Sequence, residues 1–210
     1  MKPSLRVLLL GNGESLPADF LKELAQQADL IIATDGGADK ALAKGVSPHA
    51  IIGDLDSVSP SLKNNLPNAR WIHVPRQDNT DLEKALDWLC AQGYTQCTLC
   101  GFTGGRMDFS LGNILSLYPY ISKMKLTVCG PGWQLLPVLQ KITVPCLPKK
   151  RVSLLPYKTC RGVYTTGLKY PLAAETLSWK RAGRSLSNQT TGVRFSVSLT
   201  SGLLWVYVEN

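Results

Sequence analysis

The sequence carries little charge and no long apolar run. Of its 210 residues 18% are charged and 44% hydrophobic, and no apolar stretch approaches the ~20 residues that a membrane-spanning helix needs. Such a composition excludes an integral helical membrane protein. It fits a soluble globular chain with room for one large domain or two small ones. There is one C-x-x-C (Cys97, Cys100), with neither a second such pair nor a pair of histidines to complete a zinc site. In a strand, positions i and i+3 face opposite ways, so the six cysteines at 90, 97, 100, 129, 146 and 160 are expected to be buried and reduced. The phosphate loop G-x-x-x-x-G-K-[ST] is missing, and Gly11-Asn12-Gly13 lacks the third glycine of a dinucleotide fingerprint. Neither an internal repeat nor a low-complexity tract is present. The opening "MKPSLRVLLLGNGES" sets a short apolar stretch behind two basic residues, but runs into Gly-Asn-Gly rather than a small-x-small cleavage site. It reads as a first strand, and the protein is expected in the cytoplasm.

The charge that is present is unevenly placed. Residues 1–122 hold 10 Lys/Arg against 13 Asp/Glu, and residues 123–210 hold 13 against 2, giving nets of −3 and +11. That asymmetry implies two units with different surfaces, the second able to attract phosphates or nucleic acid.

The two parts also differ in rhythm. "RVLLLGNG", "ADLIIATDGG", "AIIGDLDS", "ARWIHVP", "QCTLCGF" and "KLTVCGP" read as strands. Between them lie the helix-like segments "PADFLKELAQQ", "ADKALAKG", "NTDLEKALDWLCAQG" and "SLGNILSLYPYI". Thr80 and Glu83 have capping-box spacing. Apolar strands alternating with helices indicate an α/β unit, a mostly parallel sheet covered on both faces. From about Trp133 short strands follow one another between Gly, Pro, Ser and Thr. Val193, Phe195, Val197 and Leu199 alternate with polar residues, and Ser201-Gly202 offers a hairpin turn. An all-β sandwich is expected there, giving domains 1–132 and 133–210.

Acidic residues recur just after the strands: Asp35, then Asp54 and Asp56, then Asp78 and Asp81, then Asp108. The carboxyl ends of parallel strands form the ligand crevice. In an extended "GDLDS", Asp54 and Asp56 would share one side with Leu55 opposite. A lone D-x-D reads first as a solvated aspartate-rich turn, its repulsion relieved by a cation, a shared proton or water. Several carboxylates gathered at one edge call for a divalent cation, and hard oxygens suit Mg²⁺, which fills its remaining positions with water and phosphate. The glycine-bearing turns at Gly11–Gly13, Asp35–Gly37 and Thr103–Arg106 could bring backbone N–H groups close to an anion. Lys84 and Arg106 add positive charge.

Four segments in order, "TDGGAD" (34–39), "GDLDS" (53–57), "QDNTDLEKAL" (77–86) and "GGRMD" (104–108), resemble the thiamine pyrophosphokinase family. "TTGLKYPL" (165–172) and "SLSN" (185–188) extend the resemblance over nearly the whole chain. It implies a Rossmann-like domain followed by a β-sandwich. It also implies transfer of the diphosphate of ATP to thiamine with release of AMP, and a homodimer holding thiamine where the subunits meet. By the same resemblance Asp54, Asp56 and Asp81 are the Mg²⁺ carboxylates, with Asp35 and Gly36 nearby on the ATP side. Gln77, Thr80, Lys84 and Arg106 contact the triphosphate, and Asp108 lies close to the reacting end. Ser185, Ser187 and Asn188 line the thiamine pocket, with Tyr170 and Trp179 as aromatic candidates. The alternatives are pyrophosphoryl transfer to another alcohol such as a pterin, and a nucleic-acid-binding protein using the basic half. Strand-end carboxylates argue against nucleic acid, since they repel phosphates when no metal is present.

Overall fold

Continuous apolar runs become buried strands in the first of two units into which the chain divides, Met1–Pro131 and Gly132–Asn210. The structure is a computed structural model and describes residues 5–56, 58, 60–75 and 78–210. β1 (Val7–Leu10), β2 (Leu30–Thr34) and β3 (Ala50–Gly53) are buried at nearly every position, as strands covered on both faces must be. With β4 (Arg70–His73), β5 (Gln96–Cys100) and β6 (Lys125–Gly130) they form a parallel sheet in the order β4-β3-β2-β1-β5-β6. The chain works outward from β1 to β4, then returns to β5 on the other side of β1. The switch point therefore falls between β1 and β5, where open sheets of this kind bind ligands.

Among the described residues five α-helices join the strands: α1 (Ala18–Gln27), α2 (Asp35–Ala43), α3 (Pro60–Asn65), α4 (Asp81–Ala91) and α5 (Met107–Ser116). α2 starts at Asp35, three residues earlier than "ADKALAKG" suggests. Gly36 and Gly37 are its first turn rather than a loop, because the helix lies hard against β1. A Cβ on Gly37 would meet the Leu10 carbonyl oxygen at 2.5 Å. α3 is too short for a 3.6-residue period to register in sequence. The expected capping box on α4 is formed, with Thr80 N–H donating to Glu83 Oε2 at 2.9 Å and Glu83 N–H to Thr80 Oγ1 at 3.3 Å. α5 buries none of its residues and leaves Met107, Phe109, Leu111 and Leu115 exposed.

The second unit is built on strands: β7 (Trp133–Val138), β8 (Lys141–Pro145), β9 (Arg151–Thr166), β10 (Glu175–Ser178), β11 (Asn188–Gln189), β12 (Arg194–Ser198) and β13 (Ser201–Glu209). "RVSLLPY" and "RGVYTTGL" are one sixteen-residue strand, β9, bent where Lys158 and Gly162 take positive φ. Its first part pairs with β13 and its last part with β12, so the strand passes from one sheet to another and the unit is sandwich-like. This overturns the expected hairpin at Ser201-Gly202. β12 pairs with β8 and β9 and β13 with β7 and β9, so the two consecutive strands flank β9 instead of each other. Phe195, Val197 and Leu199 are buried with Val152, Leu154, Leu204 and Val206, whereas Val193 lies outside the strand and is 73% exposed.

All six cysteines are free, and Cys97, Cys100, Cys129 and Cys160 are buried. No helix among the described residues is long and apolar enough to cross a membrane.

Candidate active site

β3 ends at Gly53, and the chain turns at once. Leu55 sits at φ 62°, in the left-handed region, and Asp56 N–H donates to Asp54 Oδ1 at 3.3 Å. The extended-strand reasoning that set Asp54 and Asp56 on one side therefore fails, because the segment is a turn with Asp54 as its acceptor. Asp56 stands exposed. What the fold gathers instead is Asp35, Asp54, Asp81 and Lys84. Lys84 Nζ lies 3.1 Å from Asp81 Oδ1 and 3.5 Å from Asp54 Oδ2. Burial by itself would lower the Lys84 pKa, but Asp81 and Asp54 outweigh it and raise it. Among the described residues no group of three or more His, Cys, Asp or Glu is arranged to hold a metal ion.

Asp35 heads α2 and is buried. Its Oδ2 accepts from Leu55 N–H at 2.9 Å, and its Oδ1 is buried with no hydrogen-bond partner among the described residues. Burial first, opposed by the Leu55 hydrogen bond and reinforced by Asp81 and Asp54, pushes its pKa up to about 6 from 3.8. The folded chain thus keeps this proton at pH values where the unfolded chain has released it. Stability from this group is complete below about pH 4 and is lost as pH rises through about 6. Asp35→Asn is expected to raise the melting temperature of metal-free protein at pH 7 and leave it unchanged near pH 4. A difference between wild type and variant that is the same at both pH values would refute this.

At the switch point lies a cleft of about 410 Å³, lined among others by Asn12, Asp81, Gly104, Gly105, Arg106 and Phe109. The Arg106 guanidinium packs 4.3 Å from the Phe109 ring centroid and is paired to Asp108 through contacts of 3.1 and 2.5 Å. That hydrogen-bonded pairing holds the Asp108 carboxyl below its ordinary pKa. Gly104 and Gly105 have φ of 86° and 65°; a Cβ on Gly104 would meet Glu14 Oε2 at 2.4 Å, whereas one on Gly105 would meet nothing within 4 Å among the described residues, so the turn is pressed against Glu14 at Gly104 and open at Gly105. Gly11 and Gly13 do not serve an anion with their backbone: their N–H groups already donate to Cys100 O at 2.9 Å and Gly101 O at 2.5 Å. Gly36, by contrast, lies in the first turn of α2, where N–H groups have no intrahelical acceptor. The Thr80 hydroxyl borders the cleft but is held by Glu83 Oε2 at 3.0 Å. Gln77 lies outside the described residues.

In the second unit Ser185 is buried, its hydroxyl donating to Leu154 O at 2.6 Å. Ser187, at φ 57°, donates its N–H to Ser153 Oγ at 3.0 Å. The Asn188 amide grips the Tyr170 backbone from both sides, Nδ2 donating to Tyr170 O at 2.7 Å and Oδ1 accepting from Tyr170 N at 3.0 Å. The Ser-Asn motif is thus chiefly scaffold, and what it displays is Tyr170. Tyr170 and Asn188 border two hollows, of about 360 and 180 Å³. The larger also has Lys149, Arg151 and Lys169 in its wall. Trp179 is exposed but anchored, its indole N–H donating to Pro156 O at 2.5 Å. Both acids of the unit are used in ion pairs, Glu175 with Arg184 and Glu209 with Arg151.

Comparison with known proteins bears on this geometry directly. The family model for the thiamin pyrophosphokinase catalytic domain matches residues 21–129, and the model for the thiamin pyrophosphokinase vitamin B1 binding domain matches residues 140–204. The chain belongs to the thiamin pyrophosphokinase family. It is 29% identical over 166 residues to thiamine pyrophosphokinase of Bacillus subtilis, covering 74% of this chain and 78% of that one. Thiamin pyrophosphokinase 1 of Caenorhabditis elegans is 24% identical over 220 residues, 95% of this chain and 88% of the relative. The crystal structure of thiamin pyrophosphokinase from Geobacillus thermodenitrificans superposes with a TM-score of 0.82 at 26% identity, covering 98% of each chain.

In this member of the thiamin pyrophosphokinase family the segments that carry the resemblance do different physical work. "TDGGAD" is a strand end and a helix start pressed together, and "GDLDS" is an Asp-centred turn. Among the cleft residues that the sequence does not single out as candidates are Asn12, Phe109 and Asn113. Phe109 and Asn113 stand i, i+4 on α5, a spacing that puts both on one face and could have flagged them. Lys40 was also missed. Its Nζ donates to the carbonyls of Asn12, at 2.9 Å, and Gly13, tying α2 to the turn after β1.

Proposed function

We propose that this chain transfers the diphosphate of ATP to the hydroxyethyl group of thiamine, giving thiamine diphosphate and AMP in a Mg²⁺-dependent reaction. The observation that carries the reading is Asp54, Asp81 and Lys84 converging beside a cleft at the switch point, in a chain that both family models match. The donor set suits a divalent cation. Three carboxylates, Asp35, Asp54 and Asp81, face one ammonium, an excess of two negative charges, and one buried oxygen of Asp35 lacks a partner among the described residues. Asp54 and Asp81, with Asp56 from the same turn, would hold the ion. When bound, Mg²⁺ neutralises charge developing on the phosphate oxygens.

The chain's own residues supply the rest. Arg106 stands in the cleft wall and can exchange Asp108 for the triphosphate, a charge-assisted contact of the same kind. Asp108, released by that exchange, can accept the proton of the attacking hydroxyl as it closes on the β-phosphorus in line with departing AMP. The N-terminus of α2 at Gly36 offers N–H donors to an anion. Thiamine belongs to the second unit, where Ser185, Ser187 and Asn188 shape a wall around Tyr170. A homodimer with thiamine where subunits meet, and a cytoplasmic location, belong to the same proposal. The apolar residues that α5 leaves exposed support self-association.

The test is a nucleotide product assay with ATP, Mg²⁺ and thiamine. AMP should appear in step with thiamine diphosphate, and only when thiamine is present. ADP instead of AMP would refute diphosphate transfer. No nucleotide turnover, together with strongly salt-dependent binding of DNA or RNA, would move the function to the basic second unit.

A further inference from the structure

The family resemblance implies that Lys84 contacts the triphosphate, and its surroundings suit a different role. α4 is fixed in place by its capping box and turns Leu82, Lys84, Ala85, Leu86 and Leu89 inward. The Lys84 side chain is 4% exposed, while those of Asp54 and Asp81 are 33% and 44% exposed. The ammonium therefore lies on the inner side of the two carboxylates, which reach past it toward solvent. Lys84 occupies one oxygen of each, Oδ2 of Asp54 and Oδ1 of Asp81. Asp54 Oδ1 is held by the Asp56 N–H at 3.3 Å. Lys84 is not in the wall of the cleft, although its neighbours Asp81 and Leu82 are. Reaching a phosphate there would strip Asp54 and Asp81 of the cation nearest to both, leaving like charges face to face.

We propose that Lys84 is a positioning residue: a buried ammonium that clamps Asp54 and Asp81 from beneath, sets their separation and leaves their outward oxygens to receive the divalent cation. The proposal rests on the reading of Asp54 and Asp81 as metal carboxylates. A group that orients metal ligands typically contributes about 10- to 100-fold to metal affinity. It does so without touching metal or nucleotide. The asymmetry follows from sequence spacing. Asp81 and Lys84 are three residues apart on one helical face, so one turn of α4 supplies both a carboxylate and its orienting cation. Asp54 is brought in by β3.

The experiment measures Mn²⁺ binding to nucleotide-free protein from the loss of the free-ion EPR signal, and separately the affinity for AMP with metal chelated. Lys84→Met should weaken Mn²⁺ binding about 10- to 100-fold, leave metal-free AMP affinity unchanged, and recover turnover at raised Mg²⁺. Lys84→Arg, which keeps the charge, should lie between wild type and Lys84→Met. It also serves if the uncharged variant does not fold, as judged by circular dichroism: Mn²⁺ affinity equal to wild type in Lys84→Arg, with weakened AMP binding, would then overturn the clamp. Unchanged Mn²⁺ affinity in Lys84→Met with weaker metal-free AMP binding would return Lys84 to the phosphates. If wild-type protein binds no Mn²⁺ while AMP still binds, the metal-carboxylate reading falls, and the clamp with it.

Discussion

Asp54→Asn is expected to lower turnover by at least about 10³-fold, the loss of some 4 kcal/mol of transition-state stabilisation that a misplaced metal ion would cause. The fold should survive. Asn keeps one acceptor oxygen, which can hold the Asp56 N–H and so the turn after β3, while Lys84 Nζ gives up its 3.5 Å contact and retains Asp81 at 3.1 Å. One negative charge also leaves a cluster in which three carboxylates face one ammonium. The variant should therefore melt at or above the wild-type temperature while its kcat collapses. Steady-state kinetics at saturating ATP and thiamine, paired with a thermal melt, separates the two effects. Near-normal turnover would remove Asp54 from the chemistry.

Gly53→Ala should damage both stability and activity. A Cβ there would lie 2.3 Å from Asp35 Oδ1 and 2.5 Å from its Cγ, inside any real contact distance. Asp35 has little room to yield, since it is buried and its Oδ2 holds the Leu55 N–H. Overpacking of this kind costs about 1–3 kcal/mol, a fall of roughly 2–12 °C in melting temperature for a chain of this size. The displaced turn carries Asp54 with it, and a shift of about 1 Å at a reacting centre can cost about 10²-fold in rate. Thermal melts and kinetics on the same preparation check this. An alanine variant that melts and turns over like wild type would show that the Asp35–Gly53 contact has slack. The comparison with Asp54→Asn is informative: that variant should lose rate alone, and this one should lose rate and stability together.

Much of the first unit was legible because its signals are local. A buried parallel strand is a run of apolar residues, and α4 announces its start through Thr80 and Glu83 with no help from elsewhere. Signals that depend on a distant neighbour were misread. Gly36 and Gly37 look like a loop in sequence, and they form a helix because β1 lies close enough to forbid a side chain at Gly37. Ser201-Gly202 looks like a hairpin turn. The strands on either side of it instead pair with β9, whose bend at Lys158 and Gly162 lets one strand serve two sheets. Val193 continued an alternating pattern that the sheet had not yet begun.

The site divides along the same line. Sequence by itself determined which chemical groups are available: aspartates recurring after strands, a lysine one turn beyond Asp81, an arginine in a Gly-Gly turn. Residue type and short spacing are covalent facts, and they carried the family resemblance as well. Only the tertiary structure decided what those groups do to one another. It placed the Lys84 ammonium beneath two carboxylates rather than in the cleft. It buried Asp35 against Gly53 and turned "DLD" from a strand into an Asp-centred turn. It spent the Ser185 hydroxyl and the Asn188 amide on backbone, leaving Tyr170 displayed. Burial and hydrogen-bond partnership are set by residues far away in sequence, so no local pattern could have reported them.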